Sequence, residues 1–124
     1  MKKIIAKNKE HLKDLIRQEM EKNGPNCDLN HIDVSKIINM SGMFQDSKFN
    51  GDVSKWNVSN VTDMGAMFHC SRFNQDISNW NVGNVKNMSG MFSYSLFNQD
   101  ISEWDVSRIT HIHYMFNSMG FKNE

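Results

Sequence analysis

The chain has 124 residues and carries 14 basic and 14 acidic side chains, so its formal net charge is zero. This balance removes any global electrostatic reason to expect a nucleic-acid partner or an anionic membrane surface. Hydrophobic residues make up 39% of the sequence, with ten methionines and eight phenylalanines, which is enough for one packed domain. No segment approaches the ~20 apolar residues of a membrane span, so we expect no membrane insertion.

The first 24 residues differ in pattern from the rest. Apolar residues recur at helical spacing between Lys9 and Asn23, Asn8 is a suitable N-cap, and Gly24 followed by Pro25 ends the pattern. We predict an amphipathic α-helix that covers an apolar end of the following units. A membrane-surface or partner-binding helix is the alternative, but its acids and bases are mixed. No export signal or lipid-attachment cysteine is visible, so the chain as written is expected in the cytoplasm.

From residue 25 onward the sequence repeats with a period of 24 residues. Phenylalanine and tryptophan recur at this interval without insertion or deletion, most clearly at Trp56, Trp80 and Trp104. Such a period is typical of a solenoid in which each unit packs on the next. The predicted divisions of one domain are the helix at 1–24, four units at 25–48, 49–72, 73–96 and 97–120, and a partial fifth unit at 121–124.

The apolar positions of a unit follow neither helical spacing nor a long alternation. Alternation is explicit only at the Trp-x-Val step, where β-branched and aromatic residues favour extended backbone. We therefore predict a short parallel strand near each Trp-x-Val, joined to the next by tight turns. Four right-handed turns would stack over about 20 Å.

Two polar positions hardly change between units. The asparagines are expected to satisfy backbone groups of neighbouring turns. The aspartates either accept local backbone N–H groups in Asp-x-Ser turns or bind calcium. Turn capping is favoured because the unit lacks the denser Gly-Asp spacing of calcium-binding repeats. The positions are Asn26, Asn50, Asn74 and Asn98, and Asp28, Asp52, Asp76 and Asp100.

The unit reads F-N-x-D-[VI]-S-x-W-[ND]-V-[SG]-x-[VI]-x-x-[MI]-x-x-M-F, and over residues 25–124 it resembles the BspA-like leucine-rich repeats of bacterial surface proteins, in the Met-Phe-rich version also seen in mycoplasma lipoproteins. The resemblance implies a leucine-rich-repeat-like solenoid, a cell-surface or secreted location, and adhesion to a host or matrix protein. It implies no catalytic residues. The first unit departs from the motif, with Pro25 for Phe and Ile32 for Trp.

No enzymatic constellation is apparent in the sequence. His111 and His113 are the only close pair of histidines, and they are interpreted as surface residues in preference to zinc ligands. Cys27 and Cys70 do not form a C-x-x-C pair. We predict no enzyme, no catalytic or metal site and no cofactor, with a metal-dependent enzyme the least favoured alternative.

Binding and self-association are the two functions that the pattern favours. Positions that change between units on a constant frame are typical of a binding face, and an uncovered last turn would offer an apolar edge to another copy. The protein partner is of unknown identity. The predicted binding face comprises Lys55, Asn60, Thr62, Asp63, Asn79, Asn84, Lys86, Asn87, Glu103, Arg108, Thr110 and His111. The predicted self-association edge comprises Trp104, Val106, Ile109, Met115, Phe116 and Phe121.

Overall fold

The computed structural model describes residues 2–116, which contain one helix and one two-stranded parallel sheet. Strand β1 spans Ile4–Ile5, helix α1 spans Lys9–Asn23, and strand β2 spans Ile32–Asp33. The strands pair Ile4 with Ile32 and Ile5 with Asp33. The amino-terminal segment thus lies beside the first 24-residue unit.

Helix α1 has the bounds that the sequence predicts. Its N-cap is Asn8, whose Oδ1 accepts the backbone N–H of His11 at 2.9 Å. Gly24 ends the helix at a φ of 85°, where a side chain is disfavoured. Leu12 and Ile16 are buried and belong to the main hydrophobic core. The helix therefore packs its apolar stripe on the first unit, and no helix within residues 2–116 is long and apolar enough to cross a membrane.

The predicted leucine-rich-repeat-like solenoid, with four turns and a parallel strand in each, is wrong. Within residues 2–116 only β1 and β2 are strands, so the structure has neither the repeat-protein sheet nor the repeat solenoid that the sequence suggested. Each Trp-x-Val segment lies between two turns and is not a strand. The N–H of Trp56 donates to Val53 O at 3.1 Å, and the N–H of Val61 donates to Val58 O at 3.0 Å. Because these donors close local turns, they are not free to build a strand ladder.

Residues 24 positions apart nevertheless lie next to each other, and we call such residues equivalent. Isolated parallel bridges join the equivalent residues Asn39, Asp63, Asn87 and His111. After each of these bridges the backbone forms overlapping turns. Along these turns, every second N–H group donates to a carbonyl of its own unit, and the N–H groups between them donate to carbonyls of the next unit. In residues 64–71, Met67, His69 and Ser71 donate to carbonyls three residues back, whereas Met64, Ala66 and Phe68 donate to Asn87, Ser89 and Met91.

The core consists of apolar side chains at equivalent positions. Phenylalanine rings stack in two parallel columns: Phe68 lies 5.4 Å from Phe44 and 5.6 Å from Phe92, and Phe73 lies 6.0 Å from Phe49 and 6.1 Å from Phe97 between ring centroids. The two columns also contact each other, with 4.4 Å between Phe68 and Phe73. Methionine and valine columns complete the interior. This continuous apolar core holds the unit backbones in register.

Candidate functional site

The tryptophans position the backbone that carries the predicted face. Trp56, Trp80 and Trp104 are buried, and each indole N–H donates to a carbonyl of the preceding unit, at 2.9, 2.9 and 3.1 Å. The acceptors are Leu29, Val53 and Ile77. Each ring therefore fills the core and also satisfies a buried backbone acceptor, which fixes the distance between neighbouring units.

The aspartate side chains that recur in every unit cap turns. Asp52, Asp76 and Asp100 each accept, through Oδ1, the backbone N–H of the serine two residues later, at 2.8 to 2.9 Å. Asp28 accepts from Asn30 in the same way at 2.8 Å. The turn-capping interpretation is thus the one that the geometry supports. Within residues 2–116 no three His, Cys, Asp or Glu side chains are grouped as metal ligands would be.

These hydrogen bonds lower the pKa of the capping carboxyl groups. The backbone N–H and then the hydroxyl of Ser54 lower the pKa of Asp52, while the hydroxyl of Ser78 acts most strongly on the pKa of Asp76, followed by its backbone N–H. The pKa of Asp100 is lowered in the same manner, first by the backbone N–H of its serine. Asp76 feels the neighbouring Asp52 and Asp100 charges, but this repulsion is the smaller effect.

We expect acid to destabilise the fold through these carboxyl groups. A group whose pKa is lowered on folding stabilises the native state above its unfolded pKa of about 3.9, and the stabilisation is lost as pH falls through the lower folded pKa. Urea titrations between about pH 5 and pH 2 should show the free energy of unfolding falling. Asp76→Asn should make this fall shallower while preserving the turn, since Asn57 Oδ1 accepts the N–H of Ser59 at 3.0 Å. An unchanged pH profile in Asp76→Asn would contradict the assignment.

The asparagine positions connect successive units through backbone hydrogen bonds. Asn50 Oδ1 accepts the N–H of Asn74 at 2.8 Å, and Asn74 Oδ1 accepts the N–H of Asn98 at 2.9 Å. The amide that reaches the neighbouring carbonyl belongs to glutamine, because Gln75 and Gln99 donate to the O and Oδ1 of Asn50 and Asn74 at 3.0 to 3.3 Å. The asparagines thus accept backbone N–H groups of the next unit as expected, but the side-chain amides that donate to the neighbouring carbonyls are those of Gln75 and Gln99.

One set of predicted binding residues also ties units together. Asn60 Nδ2 donates to Ser35 O at 2.8 Å, and Asn84 Nδ2 donates to Ser59 O at 2.7 Å. Arg108 Nη1 donates to Asn84 Oδ1 at 2.5 Å. All three side chains remain exposed, but their polar groups are partly committed to the frame.

A second set of predicted binding residues is bonded even more extensively within the fold. Asp63 Oδ1 accepts the N–H of Gly65 at 2.8 Å and the side-chain amide of Asn87 at 3.1 Å. Both residues are half-buried and take part in the parallel bridges. His111 ends this bridge series and its Nδ1 lies 2.9 Å from Thr110 Oγ1. Asp63 and Asn87 are therefore poor candidates for recognising a partner.

The remaining predicted face residues are less committed to the frame, although Thr110 Oγ1 donates to Lys86 O at 3.3 Å. Lys55, Asn79 and Glu103 are equivalent and exposed, as are Lys86 and Thr110, while Thr62 is half-buried. Within residues 2–116 no side-chain hydrogen bond or ion pair joins the first three to the other nine face residues. The structure thus gives two exposed rows, Lys55–Asn79–Glu103 and Lys86–Thr110, on one hydrogen-bonded backbone.

The predicted self-association edge is only partly exposed. Trp104 and Met115 are buried, Ile109 and Phe116 are half-buried, and Phe121 lies outside the described residues. Val106 is 45% exposed, whereas its equivalent Val82 is 1% exposed. The predicted unpaired strand is not seen at this edge, because none of residues 97–116 belongs to a strand.

The fold and the site define a class of repetitive protein. Apolar side chains spaced 24 residues apart stack in the core, polar side chains at other equivalent positions form exposed rows, and a helix packs on the first unit. The chain belongs to the family described as Mycoplasma protein of unknown function, DUF285, whose model matches residues 11–124. The match begins within α1 and covers all the predicted face residues. No curated protein and no solved structure shows a significant match.

Proposed function

We propose that the chain is a non-catalytic protein-interaction module that recognises its partner through the two exposed rows. The observation that carries the proposal is the contrast between equivalent positions. Tryptophan is retained at three equivalent buried positions, whereas the exposed residues just before them are Lys55, Asn79 and Glu103, which differ in charge. Different chemistry displayed on one constant frame is how many binding surfaces achieve specificity.

The frame is suited to such display because its backbone is held at short intervals. Hydrogen bonds between neighbouring units recur along residues 40–46, 64–70 and 88–92, and the tryptophan indoles add one more in each pair of units. A surface that is already ordered loses less conformational entropy when a partner binds. The exposed rows therefore favour recognition without large rearrangement.

The class of partner rests on the motif resemblance to BspA-like repeats. That resemblance supports a protein of the host surface or extracellular matrix as the partner. A non-catalytic role is supported by the scattered histidines. The exposed ring of His111 lies beside Thr110 Oγ1, and the exposed ring of His113 lies beside the ring of Tyr114.

Charge reversal in the Lys86–Thr110 row tests the proposal. Lys86→Glu should weaken capture of a matrix-protein partner by at least about tenfold, because like charges facing one another at an interface are costly. Lys48→Glu is the matched control, since Lys48 is equally an exposed lysine but lies outside both rows. Binding is measured by biolayer interferometry against a panel of purified matrix proteins. Equal losses in the two variants, or capture by none of the panel, would contradict the proposal.

Self-association is the second candidate, favoured by the exposure of Val106. Sedimentation of the same samples distinguishes it from binding to another protein. A mass that rises with concentration up to about 100 μM and does not respond to Lys86→Glu identifies self-association that does not use the Lys86–Thr110 row. A constant monomer mass together with selective loss of capture in Lys86→Glu identifies the proposed module.

A further inference from the structure

A cleft lies between α1, the amino-terminal segment and the first unit, away from the exposed rows of the last two units. It consists of two adjoining depressions of about 510 and 350 Å³, which share Asp28 and His31 in their walls. Small-molecule sites usually measure about 300 to 1,000 Å³. The cleft is thus large enough for a ligand of modest size.

The cleft walls carry an excess of positive charge. Lys2 and Lys22 line the larger depression, and Lys3 and Lys55 line the smaller one. The only carboxylates in the two walls are Glu19 and Asp28. Within residues 2–116 none of these lysines forms an ion pair. Arg17 pairs with Asp14 and Glu21, and the His31 ring contacts Glu19. In a chain with no net charge, this local excess of positive charge favours an anionic ligand.

The two carboxylates are already engaged. Glu19 Oε1 accepts the side-chain amide of Asn23 at 3.0 Å, and its Oε2 lies 3.5 Å from His31 Nε2. Asp28 Oδ1 accepts the backbone N–H of Asn30 at 2.8 Å. These contacts fix the acids on the walls. Lys3 Nζ donates to Asn30 O at 3.1 Å, and because an ammonium group has three N–H donors, it keeps two for a ligand. A bound anion would complete the charge balance of the cleft.

The chemistry of the walls distinguishes between classes of anion. Lysine binds phosphate as a compact point charge, and four lysines against two carboxylates leave the walls with about two uncompensated positive charges. A phosphoryl group, which carries about two negative charges, balances this excess better than a single carboxylate does. No arginine lines either depression, and the basic side chains there besides the His31 imidazole are lysines. Ile4 and Cys27 add apolar surface, and burial raises the pKa of the Cys27 thiol, followed by the effect of Glu19, so the thiol is uncharged. The side chains of Ile4 and Cys27 therefore offer an apolar surface on which the organic part of a ligand can pack.

We propose that this cleft is a binding site for a small organic phosphate, with the phosphoryl group between the lysines and the organic moiety against Ile4 and Cys27. This site is separate from the proposed protein-binding rows, apart from Lys55, which the partner-binding test leaves unchanged. The proposal of a phosphate site can therefore be contradicted without contradicting the proposal of a protein-binding surface, and the reverse also holds.

Titration with phenyl phosphate, followed by ¹H–¹⁵N spectra at low ionic strength, tests the site. We expect saturable shifts of the Asp28, Asn30 and His31 amides. The double variant Lys22→Gln with Lys55→Gln should weaken binding by about tenfold or more, because it removes one positive charge from each of the two depressions. The matched control is Lys36→Gln with Lys86→Gln, which removes two exposed lysines outside the cleft and should change binding by less than about twofold.

The alternative outcomes each overturn the proposal. Benzoate binding as tightly as phenyl phosphate would mean that the cleft does not select phosphate. Inorganic phosphate binding as tightly would mean that Ile4 and Cys27 contribute nothing. Non-saturating shifts, or equal weakening in both double variants, would show only general attraction to a basic surface. Circular dichroism of both double variants confirms that a loss of binding does not come from unfolding.

Discussion

Replacing Trp80 by alanine should cost about 3 to 5 kcal/mol of folding free energy. The side chain is 3% exposed, its ring centroid lies 6.3 Å from that of Trp56, and it also contacts Phe68. Removing it opens a cavity in the middle of the core and leaves Val53 O without its indole donor. Because small domains have a total stability of only about 5 to 15 kcal/mol, the variant should be largely unfolded or nearly so.

Two further variants separate the contributions of Trp80. Trp80→Phe keeps an aromatic ring but removes the indole donor to Val53 O, which still accepts the N–H of Trp56. The lost hydrogen bond and the smaller ring together should cost roughly 1 to 3 kcal/mol, less than Trp80→Ala. Asn79→Ala changes the neighbouring exposed side chain and should stay within about 0.5 kcal/mol of the natural protein. Urea denaturation monitored by circular dichroism gives all three values. A stable Trp80→Ala variant would mean that the tryptophans are not needed for the core.

Local signals in the sequence predict α1 correctly, but they wrongly predict a strand at each Trp-x-Val step. The helix is specified by Asn8, by apolar residues at helical spacing and by Gly24, all of which act within a few residues. A single Trp-x-Val step contains too little alternation to separate a strand from two linked turns. The overlapping turns also require positive φ at Ala66 and Cys70, where the residue types give no signal.

In the candidate sites, too, the sequence predicts what depends on local pattern and misses what depends on contacts between distant residues. Changing residues at equivalent positions correctly indicate exposure at Lys55, Asn79 and Glu103. Asn84 and Asp63 look equally free in the sequence, but their hydrogen bonds go to groups about 24 residues away, so only the packed units reveal them. The lysine cleft is invisible for a related reason: its walls come from segments between Lys2 and Lys55 that the fold brings together.

Gly51→Ala should destabilise the junction between the first two units severely. A β-carbon at Gly51 would lie well inside contact distance of the Cys27 carbonyl oxygen, 2.8 Å from Cys27 C and 2.8 Å from Phe49 Cε1. The carbonyl is backbone and cannot rotate away as a side chain would. We expect a loss of about 3 kcal/mol or more, at the upper end of overpacking effects.

The equivalent positions explain why only this junction needs glycine. Gln75 and Gln99 occupy the same place in later units, where Asn50 and Asn74 each accept the next backbone N–H through a side-chain oxygen. At the first junction Asn50 N–H donates directly to the backbone carbonyl of Pro25, at 2.7 Å. A direct backbone bond lacks the side-chain spacer, so the two chains approach more closely and leave no room for a β-carbon.

Gln75→Ala is the matched control for this explanation. It places the same alanine at the equivalent position, where a side chain already fits, and removes only the hydrogen bonds of Gln75 to Asn50. Its cost should be near 1 kcal/mol, the usual contribution of a partly exposed hydrogen bond. Urea denaturation of the two variants compares the junctions directly. Equal stability of Gly51→Ala and Gln75→Ala would show that the first junction is no tighter than the others, and that Pro25 does not set its spacing.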